Sequence, residues 1–311
     1  MCAIFGVLDY KGKLTAAQRL HMVKSLSVAA EIRGTDATGI AYFQRDKLCI
    51  QKAPKPARKM KYRIPAEVQY IMGHTRMTTQ GNPKQNQNNH PFAGQAGNQK
   101  FALAHNGVLT NDWELRFAEN LPETEVETDS FVAVQLIEKE KKVTFLSIQK
   151  MAEKVQGSFT FTILDQKNNL YFVKGENPLM IYHYPDIGLY LYASTTEIWD
   201  NALFSLDVEN VNHEVIQLKI GDILRIDNQG KQEVASFELI EHYSWFSPWT
   251  TFDLPIRKRK STRSHATQQE YIQAVKTVAI FHGFEAEFID GLISDGYTLD
   301  DIEDMIYNHR Y

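Results

Sequence analysis

Cys2 is the residue whose type and place are most suggestive of chemistry, because it directly follows Met1. Its small side chain permits removal of the methionine. That would leave a thiol and an α-amine on one residue. An α-amine has an ordinary pKa of about 7.7–8.0, so near neutral pH it can take the thiol proton and activate its own nucleophile. The same residue also suits a small buried hydrophobe at the start of a strand. Four further segments carry polar groups in suggestive order. Arg33-Gly34-Thr35-Asp36 is a charged, Gly-bracketed turn. Gly73-His74-Thr75-Arg76 ends an apolar run on a guanidinium whose planar fork suits a carboxylate. Ala104-His105-Asn106-Gly107 sets an amide beside a glycine N–H, two donors that can converge on one oxyanion. Glu127-Thr128-Asp129-Ser130 opens a helical pattern with a carboxylate. Each also fits an ordinary structural use: a helix C-cap and loop, a surface ion pair, an Asn-Gly turn and an N-cap.

The elements that must position these residues can be read from periodicity. Residues 2–9 are an apolar run that predicts a buried strand. Thr15 caps a helix in which Leu20, Val23, Leu26 and Ala30 recur at three- and four-residue steps. Strands are expected at 39–43, 47–51, 70–75 and 101–105, the last stopping at Asn106-Gly107. Residues 80–98, with seven Asn or Gln between Gln80 and Asn89, read as a long loop. Helices are expected over 110–119 and 128–141, and a run of hairpin strands from 158 to 240.

The six segments beginning MCAIFG, RGTDATGI, GHTRMTTQG, NNHPF, LAHNGVLTN and ETDS, in this order, resemble the class II glutamine amidotransferases, an N-terminal-nucleophile hydrolase family. The resemblance runs from Cys2 to about residue 200, with weaker echoes in GSFTFTIL, GENPL and YASTTE. It implies an α+β fold, a four-layer αββα sandwich of two antiparallel sheets. It implies that Cys2 attacks the side-chain amide of L-glutamine, that Asn106 and the Gly107 N–H hold the oxyanion, and that Arg76 and Asp129 bind the α-carboxylate and α-ammonium. Thr79 falls in the same binding loop, and Arg33 and Gly34 order the surroundings of the nucleophile. His90 is most similar to the loop of the glucosamine-6-phosphate synthase branch. Ala37, Met77 and Gln80 depart from the family's common residues, at none of the catalytic or anchoring positions.

Composition excludes several other classes. Net charge is −4, from 34 basic and 38 acidic residues, so no chain-wide basic field points to nucleic acid. No apolar run reaches the length of a membrane span. Cys2 and Cys49 form no CxxC, and His21, His74, His90 and His105 match no metal-ligand spacing, so neither a metal nor another cofactor is expected. Three parts are expected: an amidotransferase domain over 2–242, an aromatic and basic linker over 243–266, and a three-helix module over 267–311. The expected protein is a stand-alone cytoplasmic subunit that passes ammonia to a separate synthase. Two alternatives are an N-terminal-nucleophile hydrolase of another amide and a non-catalytic regulator of the same fold. Arg76 and Asp129 weigh against the first, and the retained Cys2, Asn106 and Gly107 against the second.

Overall fold

The structure, a computed structural model, describes residues 2–203, 208, 211–239 and, farther along, 272, 275, 276, 279, 280, 284–294, 297, 299 and 302. The chain opens with β1 (Ala3–Asp9), which the apolar run predicted. The buried Asp9 carboxylate accepts from the Lys13 and Leu14 N–H groups and pairs with Arg19 at 2.8 Å, which locks the turn into α1 (Ala16–Ala29). Thr15 caps that helix in a reciprocal box with Gln18. A seven-stranded sheet then assembles in the order β11-β9-β10-β1-β4-β2-β3. Its members are β2 (Ala37–Gln44), β3 (Lys47–Ala53), β4 (Tyr70–Arg76), β9 (Met180–Tyr184), β10 (Leu189–Ala193) and β11 (Glu214–Ile216), with β1 near the middle. The second sheet has six strands in the order β13-β12-β8-β7-β6-β5, namely β5 (Phe92–Ala96), β6 (Gln99–Leu109), β7 (Gly157–Asp165), β8 (Leu170–Lys174), β12 (Asp222–Ile226) and β13 (Gln232–Ser236). The strand pairings are antiparallel.

Strand alternation builds four layers from these two sheets. In β1, Ala3, Phe5 and Val7 turn outward and pack with α1 and α5 (Thr196–Leu203), through Val23, Leu26, Ile198 and Trp199. Ile4 and Leu8 turn inward and meet Ala102, Ala104, Leu164 and Phe172 of the second sheet. That sheet's other face, with Phe101, Leu103, Phe159 and Phe161, is covered by α3 (Phe131–Lys139) and α4 (Phe145–Lys154). The expected αββα sandwich is therefore what forms, with one apolar layer between the sheets and one beneath each pair of helices.

Four local readings change. The expected loop over 80–98 contains β5, in which Phe92, Gly94 and Ala96 are buried and the residues between are exposed, an alternation that a polar count across the whole stretch hides. The strand at 101–105 does not stop at Asn106-Gly107 but runs on to Leu109, because β7 pairs with it residue by residue through Leu109↔Gly157. Of the two expected helices, α2 (Asp112–Ala118) falls inside its range, while α3 begins at Phe131 and leaves Thr128 and Asp129 ahead of it. Helices α4 and α5 were not foreseen, although Thr144 and Ser147 form a capping box ahead of α4.

Residues 243–266, the expected linker, lie outside the described residues. Of the expected C-terminal module, α6 (Ala286–Ser294) is described. Ile289 of α6 packs with Val275, Ala279 and Ile302, and this cluster rests on Val108 of β6.

Candidate active site

The inward face that is apolar along most of its length becomes polar at one end. Cys2, just ahead of β1, continues the side that carries Ile4 and Leu8. His74 and Arg76 continue the side of β4 that carries Tyr70 and Met72, and Asn106 follows Ala102 and Ala104 on β6. Thr160 lies opposite Asn106 in register and Lys174 opposite Thr160, which extends the polar row across the sheet. Beside this row is a pocket lined by Cys2, Arg76, Thr79, His90, Gly107 and Asp129, with Met77, Gln80, His105, Thr128 and Ser130 completing the wall. Six of the nine residues singled out in the sequence meet there. Asn106 sits next to Gly107 but projects to the inter-sheet side, and Arg33 and Gly34 stand behind Cys2 and Arg76.

Cys2 is buried, and its Sγ lies 3.4 Å from the Met77 carbonyl oxygen, to which it donates. Burial raises its thiol pKa, so the neutral thiol is the resting form and a base is needed to activate it. Arg33 donates from Nε to the Cys2 carbonyl at 2.9 Å and fixes the backbone of the nucleophile. Gly34 is required by close approach, since a Cβ there would lie 2.4 Å from the Arg76 carbonyl carbon.

β5 pairs with β6 only as far as Phe92↔Leu103, so the next residues of β6 have an edge without a strand neighbour. N–H and C=O groups of alternate residues point to the same edge of an antiparallel strand. On this edge the His105 carbonyl accepts from His74 Nε2 at 2.9 Å, and the Leu109 N–H donates to Asp129 Oδ2 at 2.6 Å. The Gly107 N–H between them points the same way. Gly107 has φ +143°, and a Cβ there would lie 2.0 Å from the Ser158 carbonyl oxygen, so no other residue fits. The Asn106 side chain is fully buried, and neither amide atom has a partner among the described residues. A buried amide left in this state is costly, and it stands ready for a ligand atom.

Arg76 is buried and held by its own loop. Nη1 donates to Asn89 Oδ1 at 2.7 Å, and Nη2 donates to the Gln80 and Gly81 carbonyls. A guanidinium has five N–H donors, so two remain after these three bonds. Asp129 does not cap α3. Its carboxylate takes the Leu109 N–H and the Ser130 hydroxyl, the latter at 3.1 Å, and burial raises its pKa. Arg76 and Asp129 thus offer opposite charges on the wall of one pocket. Ser130 Oγ is also hydrogen-bonded to His105 Nδ1 at 2.8 Å.

His74, His90 and His105 are all buried, and the His90 ring lies tilted between those of His74 and Phe92, with centroids 4.3 Å from each. Burial pushes the pKa of His74 and of His105 down to about 3, and that of His90 well below its ordinary value, so the rings are neutral at pH 7. Sequence reasoning did not single out Met77, Asn89, His105 or Ser130 as parts of the site. Asn89 had a readable signal, because a buried arginine needs acceptors and the Asn-rich run after Arg76 is the nearest supply. No group of three or more His, Cys, Asp or Glu among the described residues could hold a metal ion, and no helix among them is long and apolar enough to cross a membrane.

Comparison with known proteins bears on the family and the fold. Residues 74–199 match the model of a glutamine amidotransferase domain. The glutamine–fructose-6-phosphate aminotransferase (isomerizing) of Aquifex aeolicus is 31% identical over 186 residues, which are 57% of this chain and 30% of the relative. The enzyme of the same name from Staphylococcus aureus is 30% identical over 245 residues, 74% of this chain and 38% of the relative. The chain thus spans roughly a third of the length of these curated relatives. Two solved structures share the fold at 20% identity: the glutamine phosphoribosylpyrophosphate amidotransferase of B. subtilis, with a TM-score of 0.59, and an allosteric regulatory enzyme of purine biosynthesis, at 0.61. Each covers 76% of this chain, which covers 49% of either. Fold, motif order and family match agree, and the chain carries a class II glutamine amidotransferase domain.

Proposed function

We propose that this domain hydrolyses the side-chain amide of L-glutamine through a Cys2 thioester and supplies the ammonia to a separate acceptor enzyme. The observation that carries the reading is a buried thiol, Gly107 and opposite charges on the walls of one pocket, with the unpartnered Asn106 amide directly beside Gly107. Once Met1 is removed, the Cys2 amine takes the thiol proton as Sγ attacks the amide carbon. The carbonyl electrons move onto oxygen, where the Asn106 amide and the Gly107 N–H donate to it. The tetrahedral species collapses, the C–N bond breaks, and the amine returns the proton to the departing ammonia. Water then attacks the γ-glutamyl thioester and releases glutamate and the thiol. Arg76 pairs with the α-carboxylate and Asp129 with the α-ammonium. Thr79 and His90 shape the pocket wall around the substrate, and Arg33 and Gly34 hold the nucleophile and anchor backbones in place.

Delivery to an acceptor follows from the product's chemistry. In neutral water ammonia is mostly protonated and no longer nucleophilic, so transfer within a complex preserves its use. The names of the relatives, which couple glutamine to a sugar-phosphate acceptor, support a nitrogen-supplying role. Action in the cytoplasm is supported by the free thiols of Cys2 and Cys49, which a reducing compartment preserves. The expected division at 242 and 266, with the helical module as a docking element for the acceptor, belongs to the same proposal.

The test is the release of glutamate and ammonia from glutamine by the purified chain, with its mass showing loss of Met1. Arg76→Ala and Asp129→Asn should raise KM more than they lower kcat, because each unpairs one end of a charged substrate. An active protein that retains Met1 overturns the proposed base. A chain that turns over a simple primary amide as readily as glutamine overturns the proposed substrate.

A further inference from the structure

Lys52 lies on β3, the edge strand of the seven-stranded sheet, opposite Gly39 in register and well away from the nucleophile in sequence. Its side chain is half-buried and, among the described residues, pairs with no carboxylate. The ammonium instead donates to two backbone carbonyls, those of Asn89 and of Pro91, the latter at 3.2 Å, and sits 5.1 Å from the centre of the Phe92 ring. These carbonyls flank His90 on the pocket wall. The Lys52 carbonyl in turn accepts from Asn86 Nδ2 at 2.9 Å, so the strand grips the same segment twice.

That segment leads straight to the carboxylate anchor. Asn89 Oδ1 accepts from Arg76 at 2.7 Å, and Asn89 Nδ2 is fixed by the Pro83 carbonyl at 2.9 Å. Holding an ammonium in such surroundings is expensive. Burial, with the nearby Arg76 charge, lowers its pKa to about 8. A methionine would fill the same space along the Phe92 ring without that cost. What the cation adds is a pair of charge-assisted bonds that fix where the Asn89 backbone lies.

We propose that Lys52 is a positioning residue for glutamine binding, which by gripping the Asn89 and Pro91 carbonyls holds the Asn89 amide where it orients the Arg76 guanidinium toward the substrate carboxylate. This rests on the proposed role of Arg76. Lys52 touches neither substrate nor the reacting atoms, so it acts on affinity and leaves the chemical step alone.

The experiment compares wild type, Lys52→Met and Lys52→Arg in the full chain, each alone and with Arg76→Ala, and Lys52→Gln as a second, milder variant in case Lys52→Met fails to fold. Lys52→Met should raise KM for glutamine about tenfold and change kcat less than about twofold, with Lys52→Arg close to wild type. In the Arg76→Ala background Lys52→Met should have almost no further effect on KM, since the group it positions is gone. Labelling of Cys2 separates this from general loosening. A diazoketone analogue of glutamine, which carries the α-carboxylate, should react more slowly with Lys52→Met, and iodoacetamide, which does not, should react at the wild-type rate. Equal slowing of both reagents, an additive effect with Arg76→Ala, or an unchanged KM in Lys52→Met overturns the proposal. A wild-type chain that neither hydrolyses glutamine nor reacts with the analogue overturns the function proposed above instead, so the two failures are distinguishable.

Discussion

The two ends of the inter-sheet layer are built by the same strands and differ in almost everything else. Along β1 the inward positions run Leu8, Ile4 and then Cys2. Along β4 they run Tyr70, Met72 and then His74 and Arg76, and along β8 they run Leu170, Phe172 and then Lys174. At one end most inward side chains are apolar and close-packed, with Thr162 and the tyrosine hydroxyls as the polar exceptions, so burial stabilises the fold by about 1.5–3 kcal/mol for each large apolar side chain. At the other end the inward positions bury an amide with no partner among the described residues at Asn106 and the neutral His74 ring, and the loops beside them add a second such amide at Asn177 and the neutral His90 ring. Each unsatisfied buried group costs on the order of 1–3 kcal/mol. The apolar end holds the sheets together, and the polar end gives up part of that stability for groups that wait for a substrate.

The sharpest break of this comparison is at Cys2. Cys2→Ala should abolish glutamate release while the melting temperature stays near wild type. Cys49→Ala, on the edge strand β3, should be silent in both. An inactive Cys49→Ala with an active Cys2→Ala would misplace the nucleophile. Next in size is Asn106→Ala, which should lower kcat by about 100- to 1,000-fold, as loss of an oxyanion donor does. It should leave stability unchanged or raise it, because an unpartnered amide is removed. A strongly destabilised Asn106→Ala would show that the amide is structural.

The apolar end should respond in the opposite way. Phe172→Ala should lower unfolding free energy by about 3–5 kcal/mol in denaturant titration. Its kcat and KM, measured on the folded fraction, should stay close to wild type. A smaller effect belongs to acid. His74 and His105 have pKa values of about 3 in the folded protein, below the unfolded value of about 6.5, so protonation favours the unfolded chain. Their neutral forms are accommodated fully above pH 6.5, and stability should fall as pH drops from there toward 3, by up to about 1.4 kcal/mol per pH unit for each ring. Replacing His74 with Gln should flatten that slope, and an unchanged slope would assign acid sensitivity to other groups.

Much of the fold was legible because strand signals are local. The apolar run Ala3–Asp9 reads as a buried strand from seven consecutive residues, while packing between the two sheets decides that Ile4 and Leu8 face inward and Phe5 and Val7 outward. β5 was less legible, since only Phe92, Gly94 and Ala96 mark it, and two of those are small. The Asn106-Gly107 pair looks like a hairpin turn in isolation. It stays in a strand because Thr160 and Phe159, more than fifty residues away, pair with it. The bland use of Asp129 as a helix cap failed for a similar reason. The Leu109 N–H, 20 residues earlier, is where its carboxylate is needed.

By itself the sequence determined which groups are present and in what order: a thiol behind Met1, a guanidinium at a strand end, an amide beside a glycine, a carboxylate ahead of a helix. It also determined that the runs carrying most of these groups are strands, since a short apolar run bounded by polar residues is a local signal. Tertiary structure alone decided that Cys2, Arg76, Gly107 and Asp129 share one pocket, that the end of β5 leaves the edge beside Gly107 unpaired, and that Asn89 orients Arg76 while Lys52 grips the backbone beside it. Those contacts join residues that are 13 to more than 100 positions apart, and no local propensity encodes them. They form because closing two sheets over one apolar layer is the arrangement that buries the inward faces, and the polar ends of the strands are carried together with it.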